Sequence, residues 1–184
     1  MTIRLLLLMS ILSLMACKDN QTLTTQEEEQ YLQLGDSISN IMQKELLKNV
    51  KQAIQQRGID YAVDFCNVKA IPLTDSLSMF NNVKIQRLSD KNRNPNNAIH
   101  SQADKMAWEK LSTDKTDFIE VESSKDIFYY KPIILALPTC LKCHGSSSDI
   151  AGTTQEMIDL KYPADKAVGY TMGDLRGMWK IQLK

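Results

Sequence analysis

The run Phe118-Ile119-Glu120-Val121-Glu122, the polar Ser123-Ser124-Lys125-Asp126, and the apolar and aromatic stretch 127–137 decide the fold class. Two segments rich in Ile, Val, Phe and Tyr, joined by a short polar link, are the pattern of an antiparallel hairpin. Working outward, Val83-Lys84-Ile85-Gln86-Arg87-Leu88 alternates apolar and polar side chains, as a strand with one buried face does. A last strand is expected over 177–182. Between them, Asn92-Arg93-Asn94-Pro95-Asn96-Asn97 is a cluster of turn formers and so a loop.

The segment ahead of the strands has a different period. Tyr31, Leu34, Ile38, Ile41, Leu46, Val50 and Ile54 recur at near-helical spacing up to Arg57-Gly58. Thr24 or Thr25 can cap this helix, and Glu27, Glu28 and Glu29 place negative charge where a helix N-terminus favours it. Gly58 suits the C-terminal cap. The apolar stripe is not a sustained heptad, so packing within its own domain is favoured over a dimer or signalling seam. A second helical stretch, 60–66, is expected to end or kink at Pro72. Short helices are expected over 103–111 and 154–162. Helix followed by adjacent strands predicts an α+β domain, an antiparallel sheet flanked by helices with a long helix at its N-terminal side.

Composition limits what such a domain can do. The chain has 184 residues, 22 basic and 22 acidic groups, 43% hydrophobic side chains and no net charge. That is one ordinary folded domain, without the clustered basic face that nucleic acid requires. No nucleic-acid partner is expected.

Residues 1–16 read as an address. Arg4 precedes an apolar run from Leu5 to Ala16, too short to span a bilayer and typical of a secretory signal. Its end, Leu14-Met15-Ala16-Cys17, resembles the lipobox of bacterial lipoproteins, in which lipid is attached to the cysteine. Residues 17–25 are then a polar tether and 26–184 the folded domain. The expected location is the periplasmic side of a bacterial membrane, held through lipid on Cys17.

The chemistry concentrates in Cys140-Leu141-Lys142-Cys143-His144. Cys-x-x-Cys-His is the spacing that attaches haem covalently: two sulfurs add across two vinyl groups and the next histidine reaches the iron. A thioredoxin-type pair would need a βαβ crossover that the strand pattern does not supply. A zinc site would need four converging ligands, awkward for adjacent Cys143 and His144. A structural disulfide gives no reason for the histidine. Small electron-carrying cytochromes place this motif early in a helical chain, whereas here it follows the β-rich runs, which puts the cofactor against a sheet. Candidates for the sixth ligand are His100, Cys66 and the methionines, among them Met172 and Met178.

Several segments together resemble the single-haem c-type domains with a PAS-like fold, which occur alone in bacterial periplasm or cyanobacteria and as sensory inputs of kinases and cyclases. The carriers are Phe65-Cys66, the run Arg87-Leu88-Ser89-Asp90-Lys91-Asn92-Arg93-Asn94-Pro95-Asn96-Asn97, Trp108-Glu109, residues 162–170, Gly173-Asp174-Leu175-Arg176-Gly177, and the motif extended by Gly145. Residues 98–101 depart from the pattern. The resemblance implies that Cys66 is the axial thiolate opposite His144, with one haem c as cofactor. Arg87 and Arg93 are candidates for the haem carboxylates, since guanidinium binds carboxylate in a bidentate way. The expected function is redox or diatomic-gas sensing through a signalling partner, the alternative is periplasmic electron transfer to a redox partner, and no enzymatic activity is expected.

Overall fold

The computed structural model describes residues 22–184. The address, the lipobox and Cys17 lie outside the described residues. In chain order the elements are α1 (Thr25–Asn81), β1 (Lys84–Leu88), a 3-10 turn (Pro95–Asn97), α2 (Gln102–Asp114), β2 (Phe118–Ser123), β3 (Asp126–Ile134), α3 (Pro138–His144), α4 (Gly152–Lys161) and β4 (Leu175–Gln182). The four strands form one antiparallel sheet in the order β1-β4-β3-β2. This is the expected α+β class, consistent with a PAS-like fold.

Helix α1 starts where its caps dictate. The Thr24 hydroxyl accepts from the Glu27 N–H, and the Glu27 carboxylate accepts from the Thr24 N–H at 2.9 Å, a reciprocal capping box. The first helical run breaks at Gly58 as expected: Arg57 (φ −146°) and Gly58 (φ 85°, ψ −178°) are non-helical, and a second run, joined to the first across this kink, continues to Asn81. Pro72 does not end that second run. Its ring displaces only the Val68 carbonyl, and Val68 is exposed, so water can take the orphaned oxygen. Asn82, in the left-handed conformation, is the true cap.

Side-chain alternation assigns the two faces of the sheet. Ile85, Tyr129, Trp179 and Ile181 pack under the first half of α1 against Ile38 and Met42. Leu88, Phe128, Tyr130 and Met178 point the other way, onto Ala107 and Leu111 of α2 and onto Phe118. Close approach of α1 to the sheet needs Gly35, where a Cβ would lie 2.2 Å from the Tyr129 ring. A buried carboxylate, Asp104 on α2, ties that helix to the sheet by accepting from Tyr130 Oη at 2.9 Å and Lys180 Nζ at 2.7 Å.

The second half of α1 packs on α4 while Leu73 and Leu77 near its end stay on the sheet cluster of Ile85, Tyr129 and Trp179. Asp60 accepts from the Thr154 hydroxyl, Asp64 pairs with Lys161 Nζ at 2.6 Å, and Asn67 Nδ2 donates to the Lys161 carbonyl at 3.1 Å. Val63, Ile150, Ile158 and Tyr162 make a small apolar cluster there. Helix α3 leads directly out of β3, so the cysteine motif sits at the end of the sheet between this cluster and a second one, Leu135, Ala167 and Tyr170.

Candidate haem site

Helix α3 carries both thiols and the imidazole. Pro138 opens it, where a missing N–H costs nothing, and Gly145 closes it by donating to the Leu141 carbonyl at 2.8 Å. A Cβ at Gly145 would meet Asp149 at 2.6 Å and the Leu141 oxygen at 2.7 Å, so the turn after His144 admits only glycine without rearrangement. Cys143 packs against the cluster on the α4 side and Cys140 against the one around Tyr170. All three described cysteines are free thiols. Burial pushes the Cys143 thiol up to about 11.

The orientation of His144 is fixed by main chain. Its Nδ1 lies 2.8 Å from the Ala167 carbonyl oxygen. A carbonyl only accepts, so Nδ1 carries the proton and Nε2 keeps its lone pair for a metal. Arg176 Nε, 3.4 Å from the same nitrogen, is therefore a close neighbour and not a donor to it. Burial first, then the charges of Arg176 and Arg93, hold the His144 pKa well below the ordinary imidazole value. The ring stays neutral, as a ligand must be. Residues 144 and 145 also bind the 162–170 segment, their carbonyls accepting from the N–H groups of Tyr170 and Gly169 at 2.9 and 2.7 Å.

Cys66 lies on the second half of α1, one helical turn beyond Val63, which packs in the Cys143 cluster. Burial raises its pKa, while the charges of Arg87 and Arg93 act in the opposite direction. The rival sixth ligands sit elsewhere. His100 is exposed beyond the 3-10 turn, Met178 is wholly buried on the α2 face of the sheet, and Met172 is exposed ahead of β4.

Arg93 is engaged on several sides. Its Nη2 donates to the Cys143 carbonyl at 2.7 Å and to Asp165 at 3.0 Å, and its Nε to Asp165 at 3.1 Å. Arg87 makes one long contact, from Nη2 to the Ala70 carbonyl at 3.4 Å. Arg176, an arginine of the 173–177 segment with no signal in the sequence to mark a role, stands beside His144. Lys91 donates to the Val168 carbonyl at 2.6 Å and lies over the Tyr170 ring. The Tyr170 hydroxyl is buried without a hydrogen-bond partner.

A cleft of about 730 Å³ lies between the end of α1 and β1 and contains none of these residues. A smaller one of about 140 Å³ borders Arg87 with Ile71, Asn96 and Asn97. The chemistry of the donor set is the better guide to the ligand. Two thiols at attachment spacing, an imidazole with a free Nε2, a further thiol and several guanidiniums fit a covalently held metalloporphyrin bearing carboxylates.

An α+β domain whose last turn of α3 presents paired cysteines and an oriented histidine defines the class. The chain belongs to the Tll0287-like family, whose model matches residues 19–183. It is similar in fold to a solved structure described as the cyanobacterial heme-protein Tll0287: the TM-score is 0.65 and identity 20%, over 88% of this chain and 96% of that one. No curated protein matches the chain.

Proposed function

We propose that the chain is a single-haem c-type protein in which Cys140 and Cys143 are the thioether attachments, His144 the proximal ligand and Cys66 the distal one. The observation that carries this reading is the 2.8 Å contact of His144 Nδ1 with the Ala167 carbonyl, which prepares Nε2 beside the two thiols. Family membership and a neighbour described as a heme-protein support it. When bound, haem supplies one-electron exchange and an iron whose axial positions the protein fills. Arg93 holds the end of α3 through the Cys143 carbonyl, and the positive charge of Arg87 acts on the Cys66 thiol. A thiolate ligand favours ferric iron, so the potential is low relative to a His/Met cytochrome.

In this reading the protein is held on the periplasmic side of a bacterial membrane by lipid on Cys17 and has no catalytic role. It acts as a redox or diatomic-gas sensor and passes its signal to a partner protein. The kink at Arg57-Gly58 supports sensing: it is a joint between the two halves of α1, and the half bearing Cys66 also packs Leu73 and Leu77 on the sheet cluster, so release of the sulfur can be felt at the sheet. Electron transfer is the second reading, favoured by the ties from Asp60, Asp64 and Asn67 to α4, which hold the Cys66 segment still.

The test uses full-length protein from cells competent in cytochrome c maturation. Haem that stays with the protein in acid acetone, and is released from it when Cys140 and Cys143 are both changed to serine, is expected. Low-temperature EPR of the oxidised protein should show a low-spin thiolate signal that Cys66→Ser removes. Colourless protein, or pigment lost in acid acetone, overturns the haem reading. Binding of CO or NO to the reduced protein with loss of the sulfur ligand supports sensing; unchanged coordination on reduction supports electron transfer.

A further inference from the structure

Three guanidiniums surround the Cys66 and His144 side chains, and they differ in how their charge is met. Arg93 has a carboxylate partner, Asp165, with two contacts of 3.0–3.1 Å. Arg87 and Arg176 have none among the described residues. Arg87 has its single 3.4 Å contact with a carbonyl. The Arg176 contacts run from 3.3 to 3.4 Å, to Ser89 Oγ, the Lys91 carbonyl and the neighbourhood of His144 Nδ1, which itself bears a proton. Asp165, a carboxylate whose charge bears on Arg176, is already bound to Arg93. Aromatic faces supply part of the compensation, Trp179 at 6.0 Å from Arg87 and Tyr170 at 5.5 Å from Arg176.

A largely buried guanidinium without a counter-charge is costly, and two of them on one ligand site repel each other. Such an arrangement persists when an anion completes it. Each retains donors free for a bidentate bond, the geometry that carboxylate matches. The donor set therefore asks for a ligand with two carboxylates.

We propose that Arg87 and Arg176 are the two receptors for the carboxylates of the bound porphyrin, one each, and that Arg93 is instead a positioning residue that clamps α3 to the 162–167 segment through Asp165 and the Cys143 carbonyl. Arg176 thereby acquires a cofactor-binding role, and the ligand is a dicarboxylate porphyrin rather than an esterified one. The inference rests on the haem reading above.

Resonance Raman spectra of the haem-loaded, full-length protein test it through the propionate bending band, which reports hydrogen bonding to those carboxylates directly. Arg87→Gln and Arg176→Gln are each expected to shift the band down by several wavenumbers, and Arg93→Gln to leave it in place. Should a glutamine variant fail to accumulate, Arg87→Lys and Arg176→Lys keep the charge, lose the bidentate fork, and are expected to shift the band in the same direction. A band that stays put in either the Arg87 or the Arg176 variants, or moves in Arg93→Gln, overturns the assignment. A pyridine haemochrome assay on each sample reads haem content separately, so a failure of the haem reading is distinguished from a failure of this one.

Discussion

Arg93 and Asp165 form a two-pronged ion pair, Nε to Oδ1 at 3.1 Å and Nη2 to Oδ2 at 3.0 Å, with side chains only 11% and 7% exposed. The same Nη2 reaches the Cys143 carbonyl, so a carboxylate from the 162–170 segment fixes the arginine that holds the end of α3. Asp165→Ala leaves that guanidinium buried and unpaired, which costs about 3–5 kcal/mol. Urea denaturation of parent and variant measures the difference. A loss below about 1 kcal/mol would mean the pair behaves as a solvated surface bridge.

Asp104 gives the fold a dependence on acid. Burial opposes its ionisation, but hydrogen bonds from Lys180, Ser101 and Tyr130 outweigh that and hold its pKa below the ordinary carboxylate value. A pKa lower in the folded than in the unfolded chain stabilises above the unfolded value, near 3.9, and this contribution disappears as pH falls through the folded one. Asp104→Asn should lower stability at neutral pH and flatten its fall in the acid range below about pH 4. Denaturation midpoints taken across pH check both parts; parallel profiles would contradict the sign.

At Gly35 two effects compete. Alanine gains about 1 kcal/mol of helix propensity over glycine. Its Cβ, however, would lie 2.2–2.7 Å from atoms of the Tyr129 ring, which is fully buried and pinned by a 2.8 Å hydrogen bond to Asp117. Overpacking of this kind costs about 1–3 kcal/mol, and Tyr129 has nowhere to retreat, so Gly35→Ala is expected to destabilise. A thermal melt of the variant decides the sign.

Gly58→Ala is the complementary case, with nothing within 4 Å of the added methyl. Strain in the backbone sets its cost, because φ 85° with ψ −178° is a region that essentially only glycine occupies. The expected loss is about 1–3 kcal/mol. The variant should also show changed mobility of α1, readable as altered amide exchange on either side of the kink; exchange identical to the parent would contradict this.

Much of the fold was legible because its signals are local. The hairpin of β2 and β3 follows from strand-formers on either side of a polar link, and Thr24 with Glu27 announced the start of α1. The end of α1 was not, since the cost of Pro72 depends on whether the Val68 carbonyl meets water, which is a matter of packing. Helix α4 begins at Gly152 and β4 at Leu175, each two residues before the expected start. At the candidate site, spacing alone singles out Cys140, Cys143 and His144; the structure brings Arg93 to the Cys143 carbonyl, while the charge of Arg87 acts on Cys66. The different states of the arginines could not be read that way. Arg93 meets Asp165 across 72 positions, and Arg176 reaches His144 because β4 runs past the end of α3. Such pairings have no signature in spacing.

The order β1-β4-β3-β2 places the last strand of the described chain in the middle of the sheet. During synthesis, β1 and β3 have nothing to join them until residues 175–182 emerge, and Arg176 arrives with the same segment. On the covalent haem reading proposed above, thiols 140 and 143 would meet their cofactor on an open, unzipped polypeptide, with closure around them waiting for residues 175–182.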